Sequence, residues 1–139
     1  MFAHILVPLD LGPRNERAVV TARTLAVNNR ARVTLLHVVE QIESVPVAEL
    51  RRFYTRLEKA AQRRLAQAAR RFTEKKVPVE AAVTTGNPAH EIVRWAAAND
   101  VDLIILGSHK VDPARPGQGW GTTSYKVGIL CRCPVLLVK

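Results

Sequence analysis

A chain of 139 residues, 47% apolar and with only two cysteines, can bury a core without staples and is too cysteine-poor for a secreted disulfide framework. No apolar run nears the ~20 residues of a membrane span. The opening Met1-Phe2-Ala3-His4-Ile5-Leu6-Val7 has no basic leader segment, so one cytoplasmic domain over residues 1–139 is expected, with no membrane partner.

Strand-like and helix-like periods alternate along the chain, the pattern of a parallel α/β sheet. The first strand is expected at His4 to Leu9, with Pro8 placed where its ladder has finished. A helix follows over Asn15 to Val27, with Ala18, Val19, Ala22, Leu25 and Ala26 on one face. The second strand covers Arg32 to Val39. After Pro46 a long helix is predicted from Val47 to Glu74. Its core-facing stripe is Leu50, Phe53, Tyr54, Leu57, Ala61, Leu65, Ala68 and Phe72.

That helix also holds most of the net charge of +9. Ten basic residues against three acidic ones between Glu49 and Lys76 leave a surplus of seven on one segment. No aromatic platform or zinc-finger spacing accompanies them, so they read as a solvated face and not as a nucleic-acid surface.

The third strand is expected at Val79 to Thr84. Gly86-Asn87-Pro88 then supplies a turn and a helix start, with Ile92, Val93, Ala96 and Ala97 as the buried face. A fourth strand, Val101 to Leu106, runs into Gly107-Ser108-His109. Four of the seven glycines lie between Gly107 and Gly121, where Thr122-Thr123-Ser124 opens the last helix. Clustered glycines before a helix start place main-chain amides and hydroxyls where an anion can be held, and phosphate is the commonest such ligand. The last strand is Val135 to Val138.

In such a sheet ligands bind outside the carboxyl ends of the strands. Asp10, the segment His37 to Glu40, and Gly107 onward should therefore converge on one crevice. Two common phosphate loops are excluded. The first turn, Asp10-Leu11-Gly12-Pro13-Arg14-Asn15, has one glycine and not a dinucleotide fingerprint, and Gly121-Thr122 lacks the Walker lysine.

The whole set resembles the universal stress protein family. The matching residues are Ile5-Leu6-Val7-Pro8-Leu9-Asp10 with Glu16-Arg17-Ala18, Leu35-Leu36-His37-Val38-Val39, and Gly86-Asn87-Pro88 to Ile92-Val93. The last third matches best, through Asp102 to His109, Gly121-Thr122 with Lys126-Val127, and Cys133-Pro134-Val135-Leu136-Leu137-Val138. The resemblance implies an open five-stranded parallel sheet in order 3-2-1-4-5 with helices on both faces. This is the Rossmann-like fold of the adenine nucleotide alpha hydrolases.

It further implies an ATP- or AMP-binding module in stress response, with magnesium as an accompanying ion. The implied nucleotide site is Asp10 on ribose or phosphate, the Val38 main chain on adenine, and Gly107, Ser108, His109, Lys110, Gly119, Gly121, Thr122 and Thr123 around the phosphates. The family's nucleotide-binding members carry Gly-x-x-Gly, nine residues, then Gly-Ser/Thr. Here Lys110 stands at the second glycine and ten residues separate it from Gly121. A lysine held at positive φ costs roughly 1–2 kcal/mol relative to glycine. Its ammonium could equally pair with phosphate oxygens. Two functions stay open on that departure: a nucleotide-binding regulator, or a relative that works only through a regulatory protein partner.

Homodimer formation through Val135–Val138 is implied by the same resemblance. It would also cover an apolar sheet edge.

Several of these residues have plainer readings. Asp10 can close its own turn, Thr122 and Thr123 can cap a helix, and His37 can be a core histidine. Trp120 can pack on the loop. Cys131 and Cys133 lack a surrounding His/Cys set, so no metal is expected. Ser108 has no legible histidine–acid pair, so no catalytic residue is assigned and a slow ATPase is the most that enzyme chemistry would amount to.

Overall fold

The computed structural model describes residues 1–12, 15–41, 47–109, 113–114 and 122–139. Five strands form the sheet: β1 (His4–Pro8), β2 (Arg32–Glu40), β3 (Val79–Gly86), β4 (Leu103–Gly107) and β5 (Val135–Val138). All neighbours run parallel, in the order β3-β2-β1-β4-β5. The helices are α1 (Glu16–Asn29), α2 (Arg51–Thr73), α3 (Pro88–Ala98) and α4 (Thr123–Leu130).

Alternation along the central strands divides the core in two. Ile5, Val7, Val33, Leu35, Leu103 and Ile105 meet Ala18, Val19 and Ala22 of α1 and Leu65 and Phe72 of α2. Leu6, Leu36, Ile104 and Leu106 meet Ala89, Ile92 and Ala96 of α3 and Val127 of α4 on the other face. Strands buried on both faces explain why they read as continuous apolar runs. Because the first two crossovers use one face and the last two the other, connections diverge between β1 and β4. That is the switch point where an open α/β sheet leaves a crevice.

Pro8 sits where its missing amide does no harm. The Leu9 amide donates to the Leu36 carbonyl (2.8 Å), so residues of odd number in β1 face β2 and Pro8 faces the β4 side. Pairing with β4 has already stopped at Leu6 opposite Ile104.

Helix boundaries and faces differ in places from the sequence pattern. Residues Val47–Leu50 form a 3₁₀ turn before α2, so the α-helix starts four residues later than expected. Within its stripe Phe53 and Leu57 are 40% and 38% exposed, while Tyr54, Ala61, Leu65 and Phe72 are buried. Leu57 instead lines, with Ala60, a cavity shared with the strand ends, while Tyr54 in the same stretch is buried. In α3 the buried face is Ala89, Ile92 and Ala96; Ala97 is exposed. A stripe spaced three and four from Ala89 ends at Ala96, so Ala97 falls on the solvent side. The entry to α3 follows the expected chemistry, with the Asn87 side chain accepting from the His90 amide and Pro88 in the first turn.

Candidate functional site

Where β1 and β4 part, a cavity of about 590 Å³ opens at the carboxyl ends of the strands. This lies within the roughly 300–1,000 Å³ of small-molecule sites. Asp10, Val38, Gly107, Ser108, His109, Thr122 and Thr123 all line it, so segments from three parts of the chain meet there. Lys110, Gly119 and Gly121, with Gly117 and Trp120, lie outside the described residues.

One end of the cavity is hydroxyl-rich. Ser108 and Ser124 hold their hydroxyls 3.0 Å apart, and Thr122 Oγ1 lies 3.3 Å from Ser124 Oγ. This links the end of β4 to the start of α4. The Ser108 amide donates to the Val138 carbonyl (2.7 Å), which fixes the strand end beneath those hydroxyls. Thr122 takes the N-cap position of α4 with extended backbone, yet its side chain makes no cap bond to the helix. Helix geometry gives the Thr123 and Ser124 amides no intrahelical acceptor, and amides at a helix start are the kind of donor an anion meets.

A second cluster braces His109. Its carbonyl accepts from Tyr125 Oη (2.9 Å) and from Lys139 Nζ (3.2 Å), and its ring meets Tyr125 edge to face at 5.5 Å. Lys139 Nζ also donates to Tyr125 Oη and lies 4.6 Å from that ring's centre. The hydrogen bond from Lys139 first, and that with Ser108 next, hold the Tyr125 phenol below its ordinary value. A cation stands beside the hydroxyl end.

The opposite wall is apolar, with Leu9, Val38, Leu57, Ala60 and Ile92. Even-numbered residues of β2 turn their main-chain groups toward β1, as the Leu36 carbonyl bonded to Leu9 shows. At Val38 those groups point past Pro8, the last β1 residue in register, and so toward the opening. His37, expected in or near the core, is half-buried and lines the cavity, with Nδ1 donating to the Leu9 carbonyl (2.7 Å).

Asp10 closes its own turn. Its Oδ1 accepts from the Gly12 amide (2.8 Å) and from Asn15 Nδ2 (2.6 Å). A Cβ on Gly12 would stand 3.1 Å from that oxygen, so a larger residue there would push the Asp10 carboxylate by a few tenths of an ångström.

Sequence reasoning missed Leu57 and Ala60 as cavity walls. Their spacing on α2 is the same for a core stripe as for a cavity wall, and no sequence signal separates the two. Ser124 was legible only as one hydroxyl of a helix start.

Comparisons with known proteins agree along the whole chain. The model of the universal stress protein family matches residues 1–139. Universal stress protein YxiE of Bacillus subtilis is 30% identical over 149 residues, covering 100% of both chains. Among solved structures, the hypothetical protein MJ0577 superposes with a TM-score of 0.86 at 27% identity, covering 100% of this chain and 96% of its own. The universal stress protein from Archaeoglobus fulgidus in complex with dAMP superposes at 0.71 with 16% identity, covering 100% and 98%.

Proposed function

This chain belongs to the universal stress protein family, and on that premise we propose that it is a homodimeric regulatory module that binds an adenine nucleotide, ATP or AMP. The observation that carries this reading is the polarity gradient of one cavity. Its apolar end offers the Val38 main chain, and its other end offers hydroxyls, helix amides and a nearby ammonium. A purine needs the first environment and a phosphate tail the second. That the A. fulgidus relative holds dAMP supports an adenylate in this family.

In this reading the base lies against Leu9, Val38 and Ile92, the ribose meets Asp10, and the phosphates reach Ser108, Thr122, Thr123 and Ser124. Lys110, Gly119 and Gly121 complete the phosphate end on the strength of the sequence resemblance. Asp10 and Glu40 place carboxylates on the cavity wall, and no group of three or more His, Cys, Asp or Glu side chains forms a metal cage among the described residues. Magnesium would therefore enter with the phosphates as its main ligands. No helix among the described residues is long and apolar enough to cross a membrane. The domain is taken as residues 1–139, acting in the cytoplasm, with β5 pairing to its counterpart in a second copy. Leu136 is exposed on that strand and would be covered by such pairing.

Isothermal titration with ATP and AMP tests the reading. Saturable micromolar binding is the expected result. No heat up to millimolar nucleotide would leave the partner-only alternative, which the lysine at position 110 and the longer loop favour. Turnover of ATP is expected to stay near background.

A further inference from the structure

Cys131 and Cys133 are the only cysteines of the chain, and the fold brings their sulfurs to 3.2 Å with no disulfide between them. Neither α4 nor β5 explains this by itself. Cys131 ends α4, where its amide donates to the Val127 carbonyl (2.9 Å). Cys133 precedes Pro134, whose carbonyl accepts from Ile104 and so ties it to β4 (3.0 Å). One sulfur is thus placed by a helix end and the other by the sheet. Both are half-buried against the apolar cluster of Leu6, Ile104 and Val127, with exposed Arg132 between them. Residues two apart can separate their Cα atoms by at most about 7 Å, which fits the 4.4–6.8 Å that disulfides require.

We propose that Cys131 and Cys133 are a redox modification site, closing to an intrachain disulfide when the protein meets a hydroperoxide. In the first step the Cys131 thiolate attacks the outer peroxide oxygen; an S–O bond forms, the O–O bond breaks, and the leaving oxygen takes a proton to depart as water or alcohol. In the second, the Cys133 sulfur attacks the Cys131 sulfenic sulfur. An S–S bond forms, the S–O bond breaks, and the hydroxyl leaves as water with the Cys133 proton. Two electrons pass from the two sulfurs to the peroxide, and two thiols plus one hydroperoxide yield one disulfide with no atom unassigned.

The division of roles follows from surroundings. Burial first, and contact with Cys131 next, push the Cys133 thiol up to about 12, so it is the poorer nucleophile toward peroxide and attacks the sulfenic sulfur only as its proton passes to the departing hydroxyl. Cys131 is then the sulfur that reacts first. Because the two already touch, resolution does not wait for a segment to move.

The test is treatment of the full-length protein with hydrogen peroxide, followed by intact-mass measurement and thiol labelling under denaturing conditions. Loss of two hydrogen masses, simultaneous loss of both labelling sites, and recovery of both with dithiothreitol are expected. Cys133→Ser should halt at a sulfenic acid on Cys131 that dimedone traps, and Cys131→Ser should react about tenfold more slowly or worse. Covalent dimers in place of the intrachain product would overturn the proposal. So would sulfinic acid at both cysteines, or two thiols still fully labelled after peroxide. The wild-type measurement needs no variant, so a folding defect in either substitution would not obscure its result.

Discussion

The two ends of the sheet are both polar, yet they use polarity in opposite ways. At the amino ends of the strands every described polar partner is another part of the fold. Buried His4 joins the Asn99 carbonyl through Nδ1 (2.9 Å) and Thr34 through Nε2 (2.8 Å), and Thr34 bonds Glu80 (2.9 Å). Asp102 accepts the Ala3 and His4 amides on its two oxygens at 2.8 and 3.0 Å. At the carboxyl ends, Asp10, Ser108, Thr122 and Ser124 also bond their own turn or one another, but they do so on the border of a cavity. Groups that close on each other hold strands together; groups arranged around a volume are suited to recognition. The contrast separates a lock from a site without reference to residue type, since both ends contain a histidine, an aspartate and hydroxyls.

Breaking the lock should give the largest effect on stability. Asp102→Ala orphans two main-chain amides that bond a carboxylate, and should lower the unfolding free energy by about 2–3 kcal/mol. Urea melts would show this, with nucleotide affinity per folded molecule unchanged. A fall in affinity equal to that of a cavity variant would erase the distinction between the two ends.

Asp10→Ala should act the other way round. Only a local, exposed turn is loosened, so stability should drop by no more than about 1 kcal/mol. ATP affinity should fall about tenfold, equivalent to about 1.4 kcal/mol. Titration calorimetry beside urea melts separates the two quantities. A variant that binds normally but unfolds early would leave Asp10 as a turn residue only.

The smallest effect concerns pH, away from both ends. The Cys133 thiol is raised from 9.0 to about 12 in the folded protein. A raised pKa means the folded state keeps a proton the unfolded chain gives up. Its stabilising contribution is whole below pH 9 and lost as pH climbs toward 12. Wild type should therefore lose more stability between pH 8 and 10.5 than Cys133→Ser does, as denaturant melts at the two pH values would reveal. Equal losses would show that this thiol is not held protonated by its surroundings.

Much of the architecture was legible along the chain because burial on both faces leaves uninterrupted apolar runs, and because Asn87-Pro88 and the glycines punctuate them. The converging segments at Asp10, His37 to Glu40 and Gly107 followed from strand direction alone. What pattern could not convey was depth. Phe53 and Leu57 carry the same spacing as Leu65 and Phe72, yet only the latter pair is buried in the core. Likewise Asp102 reads as one residue within the fourth strand, whereas it precedes β4 and its carboxylate fastens β1 from 98 and 99 positions away.

Local periodicity and turn chemistry thus determined which segments become strands and helices and the order in which the polypeptide visits them. Only the packed molecule decided that Phe53 and Leu57 would stay exposed, that Val38 would turn its main chain to an opening, and that two sulfurs would meet at the last turn. Each of those outcomes depends on where one element stops relative to another. Such relative placement is set by long-range packing, and no short window of residues encodes it.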